Sequence, residues 1–234
     1  MEGGPPIRRI PGRKAPAEYG ITGGALRNLP LKLLLNRKQI FNAVLRLTYY
    51  PIRWKSVRII PALKPKKDPH SSDSYRPISL LGTISKILES LLLTRINEHL
   101  VHNQVMDSDQ FGFRSDNSTT LQLYRITELV TTAFNRNQTT VIVSLDLEKV
   151  FDKIRHEGLF LKMKETSFPP RLLKTIRSYL KDRRLHVMVN GTESSERTML
   201  SGVPQGSTLG ALLSTIYVMD IPKPEDQAER NLRR

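Results

Sequence analysis

The chain has 234 residues, 38% hydrophobic and 25% charged, with no cysteine. That ordinary globular composition excludes wholesale disorder and collagen-like repeats, and the missing thiols exclude a disulfide scaffold or a thiolate zinc site and fit a reducing compartment. The formal net charge is +15, and it is unevenly placed: residues 1–80 carry 16 basic and 4 acidic side chains, against 21 and 18 over residues 81–234. A basic first third suits a polyanionic partner, because each phosphate neutralised releases condensed counterions. A solvated basic surface is the competing reading. No apolar run approaches the ~18–20 residues that span a bilayer. Leu33–Leu35 is flanked by Lys32 and Asn36, and MEGGPPIRRIPGRK lacks a signal-peptide core. The sequence thus points to an intracellular chain that is not secreted and has no membrane partner.

Residues 1–24 are rich in Gly and Pro and read as a flexible entry segment. A helix is predicted from Pro30 to about Tyr49, stopped by Pro51, and a strand over Val57–Lys64 precedes the basic, turn-rich stretch Pro65–Ser74. Ile84, Ile87, Leu88, Leu91, Leu92, Ile96 and Leu100 follow a 3.6-residue period and predict an amphipathic helix. A second helix begins at the capping pair Asn117-Ser118 and carries Leu123, Ile126, Val130, Ala133 and Phe134 on one face.

The run Thr140–Leu147 (TVIVSLDL) predicts a buried strand ending in an acidic residue. Short helices fit Glu157–Glu165 and Pro170–Lys181. Leu185, Val187 and Val189 alternate up to Asn190-Gly191, a hairpin turn signal. A glycine-bearing loop, Ser201–Gly210, leads into an apolar helix over Leu212–Met219. Long helices mixed with a few strands predict an α+β fold.

Three constellations could carry chemistry. Asp146 ends an apolar strand, where a carboxylate is costly unless it is paired or binds a metal, and Asp152 follows six residues later. The loop SGVPQGSTLG (residues 201–210) has the glycines of a tight backbone approach but lacks the lysine of a nucleotide-binding P-loop. Lys64, Lys66, Lys67 and Arg76 cluster around a strand–turn–strand and could clamp phosphates. His99 and His102 lack a third ligand and are expected at the surface.

Taken in order, YRPISLL (75–81), QFGFR (110–114), SLDLEKVFDKIRH (144–156) and SGVPQGS (201–207) resemble the reverse transcriptases of non-LTR retrotransposons, in wording closest to jockey-like insect elements. The likeness runs from about Lys14 to Pro222. It implies a right-hand polymerase fold with fingers over residues 25–139, part of a palm over 140–222 and a polar tail over 223–234. It implies RNA-templated DNA synthesis from dNTPs on a DNA primer or target, in nucleus and cytoplasm, with Mg²⁺ as the cofactor in a two-metal site.

By that resemblance Asp146 is the first catalytic, metal-binding carboxylate, joined by the backbone carbonyl of Leu147, and Asp152 is a supporting residue. Lys64 and Arg76 are implied to hold the triphosphate, Phe151 to lie beneath the sugar, and Gln205 and Gly206 to face the nucleotide. Arg114 and Gly202 are implied to meet template or primer. The family's Lys-Ala-Pro-Gly-x-Asp-Gly is here Lys14-Ala15-Pro16-Ala17-Glu18-Tyr19-Gly20, and its Tyr-Ala-Asp-Asp motif does not occur in these 234 residues. The expectation is therefore a fragment or decayed copy with an incomplete palm, an incomplete metal site and no thumb. The alternative function is a catalytically dead remnant that only binds nucleic acid.

Overall fold

A computed structural model describes residues 20–106, 110–113 and 117–221. Most of the Gly/Pro-rich entry segment, Arg114 and the polar tail lie outside the described residues. The first element, α1 (Gly23–Arg27), is capped by the Thr22 side chain, which accepts the Ala25 N–H. Helix α2 (Leu31–Leu47) starts after Pro30 and ends where Thr48 turns left-handed. Strands β1 (Ser56–Leu63) and β2 (Tyr75–Leu80) form an antiparallel pair with Ala62 opposite Arg76.

Helix α3 (Thr83–His102) is the central beam, with Leu88, Leu92, Ile96 and Leu100 buried along one stripe. Helix α4 (Thr119–Asn135) is capped as expected by Ser118, whose hydroxyl accepts the Leu121 N–H. None of its residues is buried. The short α5 (Val150–Lys153) leads into α6 (His156–Glu165) and then α7 (Pro170–Leu180), which has Pro170 in its first turn.

Strand β3 (Arg183–Val189) runs parallel to β1, and Asn190-Gly191 turns it back onto β4 (Thr192–Glu193) with both turn residues at positive φ. Strand β5 (Arg197–Met199) pairs with the first half of β3, giving the order β2-β1-β3 with β4 and β5 sharing the outer edge. The last described helix is α8 (Gly210–Val218). The core is built from Phe41 and Val44 of α2, Tyr50, the α3 stripe, and the inner faces of α6, α7 and α8. Helices and a mixed sheet thus give an α+β chain, as expected. No described helix is long and apolar enough to cross a membrane.

One predicted element is absent. Residues 139–147 form no strand; Val141 is 80% exposed and Val143 77%. A β-branched run is stable as a buried strand only when neighbours take its backbone hydrogen bonds and cover its faces. No described strand pairs with it.

Candidate functional site

The loop over residues 201–210 is held by backbone bonds to segments far away in sequence. Ser79 of β2 donates its N–H to the Gln205 carbonyl at 2.8 Å. The Gly202 N–H donates to the Ile154 carbonyl at 2.8 Å, and the Val203 N–H to the Phe151 carbonyl at 2.7 Å. His156 Nε2 lies 2.8 Å from the Gly202 carbonyl, where a ring N–H donates to it. Only glycine permits this approach at two positions. A Cβ on Gly202 (φ +80°) would sit 2.7 Å from the Phe151 oxygen, and one on Gly206 (φ +104°) 3.2 Å from the Ser79 oxygen.

The Phe151 ring is half-buried against the core and meets Phe113 edge-on at 6.3 Å. Segments of YRPISLL, QFGFR, SLDLEKVFDKIRH and SGVPQGS therefore converge, although they span residues 75 to 207. On β2 the Arg76 side chain is exposed beside this junction. Lys64 is tied down: its Nζ donates to the Asp73 carbonyl at 2.8 Å, bracing the β1–β2 turn. The Gln205 side chain is half-buried and Gly206 is exposed.

The carboxylates are not gathered in the same way. Asp146 and Leu147 are exposed in the irregular segment, and Asp152 is exposed on α5. The Asp152 backbone carbonyl accepts the Ser201 hydroxyl. Among the described residues no group of three or more His, Asp or Glu could hold a metal ion. A two-metal centre needs bridging carboxylates from more than one segment, so the donors present do not fit a pair of Mg²⁺ ions.

A family model for reverse transcriptase (RNA-dependent DNA polymerase) matches residues 64–232. The chain belongs to the reverse transcriptase family. It is 38% identical over 218 residues to the Drosophila melanogaster protein named "Probable RNA-directed DNA polymerase from transposon BS", covering 93% of this chain and 24% of that protein. It is equally 38% identical over 216 residues to the RNA-directed DNA polymerase from mobile element jockey of the same species, covering 92% and 24%. The jockey polymerase of Drosophila funebris is 36% identical over 216 residues, with the same coverages. The chain spans about a quarter of the length of these relatives.

Within this reverse transcriptase domain the residue that sequence reasoning missed is Glu89. It is fully buried on α3; its carboxylate accepts the Ser85 hydroxyl at 3.1 Å and the Thr208 N–H at 2.7 Å, just past the Gln205-Gly206 turn. Burial raises its pKa, while the nearby Arg183 guanidinium and these hydrogen bonds oppose the rise. Arg183 is itself fully buried, donates from Nε to the Tyr179 carbonyl and stacks 4.0 Å from the Tyr179 ring. Burial also raises the Tyr50 and Tyr179 hydroxyls well above their usual range. The available signal was a polar pair, Ser85 and Glu89, in line with Leu92 and Ile96 on the buried stripe. The expected surface pair divides: His102 is exposed, but His99 is half-buried, with Nε2 3.0 Å from the Thr166 carbonyl and its ring 4.4 Å from Phe168. The period placed His99 off the α3 stripe, yet the α6–α7 connection covers it.

Proposed function

We propose that the chain is the fingers and the first part of the palm of an RNA-directed DNA polymerase, working on an RNA template, a DNA primer and dNTPs. The observation that carries this reading is the bonding of the YRPISLL and SLDLEKVFDKIRH segments to the loop over residues 201–210, with QFGFR meeting Phe151 through Phe113. In this reading Arg76, exposed on β2, takes the triphosphate oxygens, and Lys64 holds the β1–β2 turn that presents it. Gln205 and Gly206 form the wall against the nucleotide, and Phe151 lies under its sugar. Gly202 lets the loop backbone approach the primer–template, with Arg114 a further contact. Asp146, Leu147 and Asp152 belong to a metal centre that the described residues do not assemble.

A second reading, for the isolated chain, is a nucleic-acid-binding piece without catalysis. The exposed segment carrying Asp146 favours it. Primer extension on poly(rA)–oligo(dT) with dTTP and Mg²⁺ or Mn²⁺ tests both. The isolated chain is expected to give no extension. A chimera supplying the Tyr-Ala-Asp-Asp region and thumb of the jockey relative is expected to extend the primer and to lose that activity with Asp146→Ala. Extension that survives Asp146→Ala overturns the polymerase assignment of that residue, and Asp146-dependent extension by the isolated chain overturns the second reading.

A further inference from the structure

Residues 20–67 contain eleven Lys and Arg and no Asp or Glu. Within that stretch α2 buries only Phe41 and Val44, and it leaves Leu31, Leu33, Leu35, Ile40 and Leu47 exposed. A surface helix normally hides its leucines and shows its charges. Here leucines and cations share the outer face.

Between α2 and α3 lies a groove of about 510 Å³ whose floor is Leu34, Leu35, Leu45, Ile87 and Leu91. Arg37, Lys38 and Arg95 stand at its sides. A second hollow of about 610 Å³ shares Asn42, Leu45 and Arg95 with the first and continues to Arg46 and Arg171, with Glu98 its one acidic lining residue. Together they make a trough that is apolar toward the start of α2 and cationic toward its end.

Arg37 is the telling residue. Its Nε and Nη1 are shielded from solvent, and neither has a hydrogen-bond partner among the described residues. Its nearest compensation is the Phe41 ring, 5.9 Å from the guanidinium carbon. Burial alone lowers its pKa. Two guanidinium N–H groups held in an apolar groove without an acceptor cost free energy that a carboxylate would recover.

We propose that this trough docks an acidic amphipathic helix of a protein partner. Leucine-type side chains spaced i, i+3, i+4 and i+7 fill the apolar section, one carboxylate meets Arg37, and further carboxylates meet Arg95 and Arg46. Nucleic acid fits this floor less well, since phosphates and sugars have little to set against leucines. The groove's one aromatic lining residue, Phe41, is buried and offers no stacking face. A second copy of α2 is excluded by charge, with four cations and no anion of its own.

The test is fluorescence anisotropy on the full 234-residue chain in 150 mM salt. The probe is a fluorescein-labelled 21-residue helical peptide with leucine at the i, i+3, i+4, i+7 positions and mostly glutamate elsewhere. It is expected to bind at least about tenfold more tightly than a scrambled peptide of identical composition, the value of one charge-assisted bond. Arg37→Met, close in volume and uncharged, is expected to weaken binding by at least about tenfold. Leu35→Ser, at an exposed position that the fold does not need, is expected to weaken it as well, and circular dichroism verifies that both variants fold. No binding, equal binding of the scrambled peptide, or indifference to both substitutions overturns the proposal. Displacement by a 12-nucleotide single-stranded RNA whose own affinity depends on both Arg37 and Leu35 also overturns it, in favour of a nucleic-acid groove.

Discussion

Glu89 and Thr208 are 119 residues apart, and the buried carboxylate of one accepts the backbone N–H of the other at 2.7 Å. The bond ties the loop over residues 201–210 to α3, while backbone bonds to Ser79, Phe151 and Ile154 hold its earlier part. The loop is therefore held at four points, Glu89, Ser79, Phe151 and Ile154.

This bond has a pH signature. Burial raises the Glu89 pKa above its ordinary 4.5, so the folded chain binds the proton more tightly than the unfolded chain does. The contribution of Glu89 to stability is then fully present below about 4.5 and is lost as pH rises from there through the folded-state value. Glu89→Gln keeps an oxygen for Thr208 and does not ionise. Urea unfolding at pH 5 and pH 8 is expected to show a loss for the natural chain that the Gln variant lacks. Equal pH dependence in the two proteins would refute the shift. Glu89→Ala takes the buried acceptor from the Thr208 N–H and the Ser85 hydroxyl and is expected to cost about 1–3 kcal/mol.

The local elements were legible because their causes are local. Ser118 caps α4, Pro170 opens α7, and Asn190-Gly191 turns β3 into β4, each through an effect confined to a few residues. The failures come from contacts distant in sequence, such as the α6–α7 connection that covers His99. TVIVSLDL has the composition of a strand, but composition does not supply a neighbouring strand. Glu89 was visible as a polar break in the α3 stripe, whereas its partner Thr208 was not. The four motifs were legible as a family pattern, while their meeting at Gln205, Ser79 and Phe151 is a property of the fold alone.

The approach of the Gly202 backbone to α5 gives a second prediction. Gly191 and Gly202 have nearly equal φ, +82° and +80°, but a Cβ at Gly191 meets nothing within 4 Å. Gly191→Ala should cost only the left-handed conformation, about 1–2 kcal/mol. Gly202→Ala adds a clash with the Phe151 and Asp152 backbone and should cost about 2–5 kcal/mol. Urea denaturation of both variants checks this, and equal losses would mean that α5 yields freely.

The cations near the junction give a third. Lys66, Lys67 and Arg76 are exposed. If they meet phosphates, replacing all three by Gln should weaken single-stranded RNA binding about equally for every sequence. It should also flatten the salt dependence by up to about 2 in log–log slope, at ~0.7 per contact. Filter binding between 50 and 200 mM salt measures both. An unchanged slope would place the phosphates elsewhere on the chain.

Phe151 offers the sharpest test of the proposed nucleotide site, in a chimera with the jockey palm and thumb. Its backbone carbonyl is fixed by Val203, and its ring is half-buried, with Phe113 edge-on at 6.3 Å. A ring so held could wall the space under the incoming sugar, or it could be ordinary packing at the rim of the core. Phe151→Val separates these. If the ring is the wall, removing it opens room for a 2′-hydroxyl while the Val203 N–H bond to the residue-151 carbonyl persists. Ribonucleotide use should then rise relative to deoxyribonucleotide, with discrimination falling by about 1–3 kcal/mol, the value of one pocket contact. If the ring only packs, stability drops and both activities fall together at constant ratio. The measurement is kcat/KM for dCTP and CTP on one template, with urea unfolding of the same variant. A constant ratio alongside a lower midpoint would remove Phe151 from the sugar site and return it to the core.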